Sequence, residues 1–353
     1  MSILTTCIGA YPKPAFVKLP DWFNLPAGPD TSEPTEQWAA AMQQLGGDGE
    51  SAEAVLARGV QQVIADQLDA GIDIPTDGEV PRENYIHYHC RHLHGFDFEN
   101  LTEKEVRGGT YSARLPTIRG TVSAKDSFLP ADWQRAQRCT DNTVKITMPG
   151  PMTIADTNYD AHYGDPARLG ADLAQALNAE VLALARVGCR HIQIDEPVFA
   201  RRPADALQYG IENLERAFHG CPAEVTRALH ICCGYPDRLD RDDYPKAAPD
   251  AYFQLADALE DSSVQWLSIE DAHRHNDLKL LEQFKTTTVV LGAVAIAKSR
   301  VETADEVHAR LCEALNHIDQ ARLVAAPDCG LGLLGRDRAR EKLRSLSAAA
   351  KRL

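Results

Sequence analysis

Hydrophobic positions along this chain follow two periods in alternation. Eight short runs are apolar and close in small or polar residues: Ile3–Gly9, Ile72–Asp77, Val144–Met148, His191–Asp195, Ala228–Cys232, Trp266–Glu270, Val289–Val294 and Leu323–Pro327. Runs of this length predict buried strands. Between most of them the apolar residues recur every three or four positions, the period of an amphipathic helix. Val60, Val63, Ile64 and Leu68 share one helical face before Gly71. Leu169, Leu173, Leu177, Val181 and Leu184 do so before Gly188, and Val307, Leu311, Leu315 and Ile318 before the last run. A glycine just past the periodic residues is a helix stop signal.

Strand and helix alternating eight times predict an α/β fold of the (β/α)8 TIM-barrel type. A doubly wound open sheet is the alternative, but no Gly-x-Gly-x-x-Gly turn follows the first run. The third unit is the least regular: residues 99–141 read as an insertion with a strand-like stretch at Arg114–Val122. Residues 12–50, rich in Pro, Gly and acidic groups, read as an elaborated loop after the first strand. No repeat or low-complexity linker divides the chain, so residues 1–353 are expected to form a single barrel domain.

Composition narrows the function classes. A hydrophobic content of 44% supplies a sizeable core, and a net charge of −14 disfavours nucleic acid or an anionic membrane as a partner. No apolar run reaches the roughly 20 residues that cross a bilayer, and the first residues lack the charged and apolar parts of a signal peptide. Nine cysteines in no repeating framework suit the reduced thiols of a cytoplasmic protein.

In such a barrel the working residues sit where strands end, on the C-terminal face. Those ends carry Thr76-Asp-Gly-Glu79, Ile194-Asp-Glu-Pro197, His230-Ile-Cys232, Ser268-Ile-Glu270 and Ala326-Pro-Asp-Cys-Gly330. Residues two apart on a strand point the same way, so the imidazole of His230 and the thiol of Cys232 converge. With Cys329 and Glu270 at neighbouring ends they would complete a tetrahedral shell for Zn²⁺. Taken singly, each has an ordinary reading: a buried cysteine packs as a small hydrophobe, and a carboxylate caps a helix. Four of them at three strand ends of one barrel favour the metal.

These motifs, with Ile8-Gly9 and Pro12 and with Pro149-Gly-Pro-Met-Thr153, resemble the catalytic C-terminal barrel of cobalamin-independent methionine synthase almost end to end. The resemblance implies the same barrel, shared with uroporphyrinogen-decarboxylase-type proteins, and a zinc-dependent transfer of a methyl group to the thiol of homocysteine. It assigns zinc to His230, Cys232, Glu270 and Cys329. It assigns the amino group of homocysteine to Glu79 and Asp195, the residues expected to serve catalysis, with Ile8 and Gly9 lining the amino-acid pocket. The departures concern the methyl donor. Thr153-Ile-Ala-Asp-Thr157 lacks the tryptophan that the family stacks on folate, and Gly292-Ala-Val-Ala-Ile-Ala-Lys298 lacks its histidine proton relay. Ala10 replaces a serine beside the amino-acid pocket. The chain is therefore similar to short, single-barrel relatives, and the expected donor is a corrinoid protein, methylcobalamin or another activated methyl compound rather than methyltetrahydrofolate-polyglutamate.

Other clusters carry weaker expectations. His87, His89, Cys90, His92 and His94 are dense but suit a helix without metal, where only residues three or four apart meet. His273 and His275 are candidates for donor contacts or proton transfer, with solvation at the rim the favoured alternative, and Tyr159, His162 and Tyr163 are candidates for shaping the donor side. Cys233 is expected to face away from the ligands. The competing functions are alkyl transfer to another thiol, as in coenzyme M transferases, a non-catalytic zinc protein, and a metal-free decarboxylase. Glu79 and Asp195 favour an ammonium-bearing acceptor over a sulfonate, and the decarboxylase gives no reason for His230, Cys232 and Cys329 together.

Overall fold

The computed structural model describes residues 2–23, 31–47, 49–106, 111–234 and 236–353. In chain order the described strands are β1 (Leu4–Thr5), β2 (Leu93–Val106), β3 (Tyr111–Ala124), β4 (Lys145–Pro149), β5 (Tyr159–Asp160), β6 (His191–Asp195), β7 (Thr226–Ile231), β8 (Trp266–Ile269), β9 (Thr288–Val294) and β10 (Leu323–Pro327). Seven of them make one parallel sheet in the order β1-β10-β9-β8-β7-β6-β4. Residues 74–76 fill the gap between β1 and β4 through two parallel bridges, Thr6 with Ile74 and Thr76 with Lys145. The Ile74 N–H donates to Thr5 O at 3.0 Å, and Lys145 N–H donates to Pro75 O at 2.9 Å. The run at 72–77 is thus the eighth stave of a closed (β/α)8 barrel. It is thinned to bridges where Pro75 has no N–H to give the ladder.

Two of the helical faces read from periodicity lie on helices Ala52–Asp69 and Pro166–Arg186; the third begins on helix Ala304–Ala314, but Leu315 caps that helix and Ile318 lies past its end. Each starts at a side-chain cap. Ser51 and Asp165 accept backbone N–H bonds, and Thr303 forms a capping box with Glu306. Gly71 and Gly188 end two of them at φ +89° and +99°, the left-handed region that glycine enters without steric cost. The inner faces of these helices pack with the strands into one main hydrophobic cluster.

The irregular third unit is a long antiparallel hairpin. β2 and β3 pair over most of their length, and β5 adds in parallel to β3, making a second sheet of three strands outside the barrel. Lys104, on β2, donates from Nζ to the backbone oxygens of Asp156 (2.7 Å) and Asn158 (2.9 Å), so the hairpin is tied to the barrel's rim. The loop after β1 contains a helix of its own, Thr35–Leu45.

Candidate active site and metal centre

Parallel register sets three polar residues side by side at the C-terminal ends of neighbouring strands. Asp195 of β6 is opposite His230 of β7, and His230 is opposite Ser268 of β8. Cys232 follows β7, and Cys329 follows β10. One ligand atom from each of His230, Cys232 and Cys329 lies within 4.8 Å of the others, the one such group of three described residues. His230 Nδ1 is 2.9 Å from Ser268 Oγ. Its Nε2 is buried and has no hydrogen-bond partner among the described residues. With Nδ1 donating to Ser268, Nε2 keeps its lone pair beside two sulfurs, the arrangement of a metal-binding imidazole fixed by an outer partner.

The thiols share the logic. The Cys329 thiol alongside holds Cys232 well below the ordinary thiol range, against its burial and with help from His230. Cys329 is pushed up in return. A thiolate is thus favoured at Cys232, and metal binding would take the thiol protons' place. A buried imidazole nitrogen without a partner and two converging sulfurs fit Zn²⁺ by donor type and number. Glu270 does not join them. Its Oε2 accepts the Cys233 N–H at 2.8 Å, and its Oε1 is paired with the ammonium of Lys246.

Two carboxylates stand beside this group. Asp195 Oδ1 accepts Gln193 Nε2 at 2.7 Å, and the same amide nitrogen donates to Ile8 O at 2.9 Å. Burial, opposed by His230 and reinforced by Glu79, raises Asp195 to about 7. Glu79 has φ +57°, and its N–H is held by Asp77 Oδ1 at 3.1 Å. A non-glycine residue in that region marks a backbone fixed by its surroundings. Glu79 Oε1 accepts from Thr147 Oγ1 (2.8 Å) and from the buried Arg82 (3.2 Å). Burial raises the Glu79 carboxyl and Arg82 opposes the rise. A side chain at Gly9 would bring Cβ within 2.7 Å of Glu79 Oε1, so glycine lets the carboxylate lie against the first strand. Each acid has one oxygen tied to its neighbours, and both residues line one cavity.

That cavity holds about 610 Å³. Ile8, Gly9, Glu79, Asp195, His230, Cys232 and Cys329 all line it, so every expected site residue but Glu270 does so. Trp22, Phe23 and Tyr85 form an aromatic wall, with ring centroids of Trp22 4.7 Å from Phe23 and 5.8 Å from Tyr85. Lys104, Val106 and Tyr111 of the hairpin cover it, and Arg201 and Arg202 stand at the rim, both paired with Asp156. Ala10 and Thr157 line it as well.

Pro149-Gly-Pro-Met-Thr153 owes its form to Glu196. The Glu196 carboxylate accepts the N–H groups of Met152 and Thr153, both at 2.9 Å, and Thr153 Oγ1 at 2.7 Å. Any Cβ at Gly150 would overlap that carboxylate. The short helix Pro151–Asp156, which leads into Thr157 on the cavity wall, is thereby pinned to the end of β6.

Several sequence expectations change. His273 is not at the cavity: its Nδ1 meets Asp328 Oδ2 at 2.7 Å and its Nε2 accepts the Ala297 N–H at 3.1 Å. Both nitrogens are committed, which removes it from proton transfer. His275 is exposed and paired with Asp271. Tyr159, His162 and Tyr163 are absent from the cavity lining, because β5 draws this stretch onto the outer sheet and Tyr163 binds Asp172. As expected, His87 and His89 lie on a helix, Tyr85–Cys90, with His89 Nδ1 on Tyr85 O at 2.6 Å. Cys233 is buried, and burial pushes it up to about 12.

Residues 28–352 match the family model described as the catalytic domain of cobalamin-independent synthase. The chain belongs to the cobalamin-independent methionine synthase family. It is 31% identical over 351 residues to methionine synthase of Saccharolobus solfataricus, covering 98% of this chain and 93% of that protein. Methionine synthase of Thermococcus kodakarensis is 30% identical over 344 residues, with 96% and 90% covered. Among solved structures, the B12-independent methionine synthase of Shewanella sp. W3-18-1, in complex with selenomethionine, superposes with a TM-score of 0.83 at 30% identity over 99% of this chain and 97% of that one. Family membership makes the chain a methyltransferase of the methionine synthase type.

The residues that sequence reading missed are those that orient the site. Gln193 was open to discovery, since it lies two positions before Asp195 on one strand face. Ser268 pairs with His230 only through register, and Arg82, Thr147 and Lys246 reach the site from segments without a motif of their own.

Proposed function

We propose that this protein is a zinc-dependent methionine synthase that transfers a methyl group to the thiol of homocysteine, from a donor other than methyltetrahydrofolate-polyglutamate. The observation that carries the reading is the buried, unpartnered Nε2 of His230 beside Cys232 and Cys329. Bound Zn²⁺ would supply the Lewis acidity that keeps the substrate sulfur a thiolate at neutral pH.

The protein's own groups do the rest. The carboxylates of Asp195 and Glu79 receive the substrate ammonium and aim its sulfur by charge-assisted hydrogen bonds. Gln193 and Thr147 hold those carboxylates still. The sulfur then forms a bond to the methyl carbon as the donor's bond to that carbon breaks, the electron pair leaving with the donor. A cavity of about 610 Å³ is of the size that holds a drug-sized ligand, so an amino acid occupies only part of it. The remainder, walled by Trp22, Phe23 and Tyr85, is donor space. His273 is committed on both ring nitrogens, so it does not supply a proton to a folate amine as it departs.

A relative of this chain that binds selenomethionine supports a product of methionine's shape. Glu79 and Asp195 in the cavity lining argue against a sulfonate acceptor of the coenzyme M type. Ligands spread over distant strand ends, next to an open cavity, argue against a non-catalytic zinc protein. Zinc-loaded protein incubated with homocysteine and a methyl-labelled donor tests the reading. Labelled methionine is expected from methylcobalamin or a methylated corrinoid protein and not from methyltetrahydrofolate. Methionine from the folate would overturn the donor assignment, and labelled methyl coenzyme M in place of methionine the acceptor assignment.

A further inference from the structure

Of the acids in the cavity lining, Glu79 and Asp195 belong to the amino-acid pocket, Asp237 is bound to Arg241, and Asp156 is shared by Arg201 and Arg202. Glu105 is exposed on the hairpin. The cations where the hairpin meets the helix Pro197–Arg201 are incompletely answered by these acids. Arg202 is satisfied by Asp205, its Nε donating to Oδ2 at 2.7 Å. Arg201 has one partner among the described residues, Asp156 Oδ2, at 3.5 Å from Nη2. A guanidinium carries five N–H donors, so most of those on Arg201 have no partner there. Lys104 donates to the backbone oxygens of Asp156 and Asn158 and to no carboxylate among the described residues. Two cations thus meet on one residue, Asp156, and both line the cavity.

We propose that Arg201, with Lys104 tied to the same residue, binds anionic oxygens of the methyl donor, those of a carboxylate or a phosphate, and so selects an acidic donor. The assignment of that anion to the donor rests on the reading above. Arg201 is placed by the fold and is not a stray surface side chain. It ends the helix that starts directly after Asp195 and Glu196. The Glu196 carboxylate also fixes Met152 and Thr153, and through them Asp156 three residues on. One long contact to Asp156 orients the guanidinium without saturating it, and its planar fork matches paired oxygens on a carboxylate or phosphate. The aromatic wall of Trp22, Phe23 and Tyr85 belongs to the same cavity, which suits a donor with a flat apolar part as well as a charge.

Calorimetry in phosphate-free buffer tests this with zinc-loaded protein saturated with homocysteine. The probes are benzoate, phenyl phosphate and the neutral benzamide, which share a ring that suits the aromatic wall. At least one of the two acids is expected to bind roughly tenfold more tightly than benzamide, and which one does so identifies the oxygens. Arg201→Gln should erase that preference and Arg201→Lys should keep part of it. Arg241→Gln, which removes another cation from the same cavity, should leave it unchanged. Homocysteine should bind Arg201→Gln as tightly as it binds the wild type. A wild type with no preference for either acid, or a preference that survives Arg201→Gln or is lost equally in Arg241→Gln, overturns the inference. Weakened homocysteine binding in Arg201→Gln overturns the assignment to the donor. Wild-type protein that binds no homocysteine overturns the reading above, and the donor assignment with it.

Discussion

Ser268 decides which nitrogen of His230 faces the thiols. The two residues are opposite each other on β7 and β8, and the hydroxyl lies 2.9 Å from Nδ1. Ser268→Ala removes the group that fixes the ring and its tautomer while leaving every ligand in place. Outer partners of this kind are worth about 10–100-fold in metal affinity. Zinc competition with a chromophoric chelator should show a loss in that range with the melting temperature little changed.

Arg82 is the counter-charge of Glu79. Its side chain is fully enclosed, 3.2 Å from Glu79 Oε1 and 3.7 Å from Asp77 Oδ2. Arg82→Met leaves two buried acids without a cation, which costs about 3–5 kcal/mol. Denaturant unfolding should show that loss. At a temperature where the variant is folded, the KM for homocysteine should rise more than kcat falls, since an uncompensated Glu79 takes up a proton and ceases to bind an ammonium.

Asp195 ties stability and binding to pH with opposite signs. Burial moves its carboxyl from 3.8 to about 7 in the folded chain, so the folded state binds the proton more tightly than the unfolded state between those values. Stability therefore falls as pH rises through that window, by on the order of 2–4 kcal/mol. Ammonium binding gains over the same range because it needs the ionised acid. In chelator-treated protein, Asp195→Asn should raise the melting temperature at pH 8 and leave it unchanged near pH 4. Wild-type affinity for homocysteine should weaken on acidification below pH 7, and the variant's weaker affinity should lose that dependence.

Gly150 and Glu196 occupy one space. Gly150→Ala forces the Glu196 carboxylate off Met152 and Thr153 and should destabilise the fold by about 1–3 kcal/mol. Glu196→Ala added to that variant should cost little more, because the same hydrogen bonds are already lost. Additive losses in the cycle would show that the two residues act independently.

The barrel was legible because its signals are local. Strand runs end in small residues, helical faces repeat every three or four positions, and caps such as Ser51, Asp165 and Thr303 precede them. The stave at 72–77 was found by hydrophobicity, but its weak pairing was hidden in Pro75, whose missing N–H matters only once neighbours are known. His230, Cys232 and Cys329 were legible by strand-end position and residue type. Glu270 was placed at the right strand end, but its partner Lys246 lies 24 residues earlier on a loop without periodicity, and nothing local joins them. The aromatic wall was missed because Trp22 and Phe23 sit in a loop that composition alone describes, and His273 misled because its Asp328 partner is 55 residues away.

The most direct test of the zinc thiolate site is the metal content of the native protein by mass spectrometry, compared with Cys232→Ser and Cys329→Ser variants. About one zinc per chain in the wild type, lost from both folded variants, is the predicted result. Wild-type protein that is folded and free of zinc after growth and purification with zinc present, or variants that retain it in full, would contradict the account.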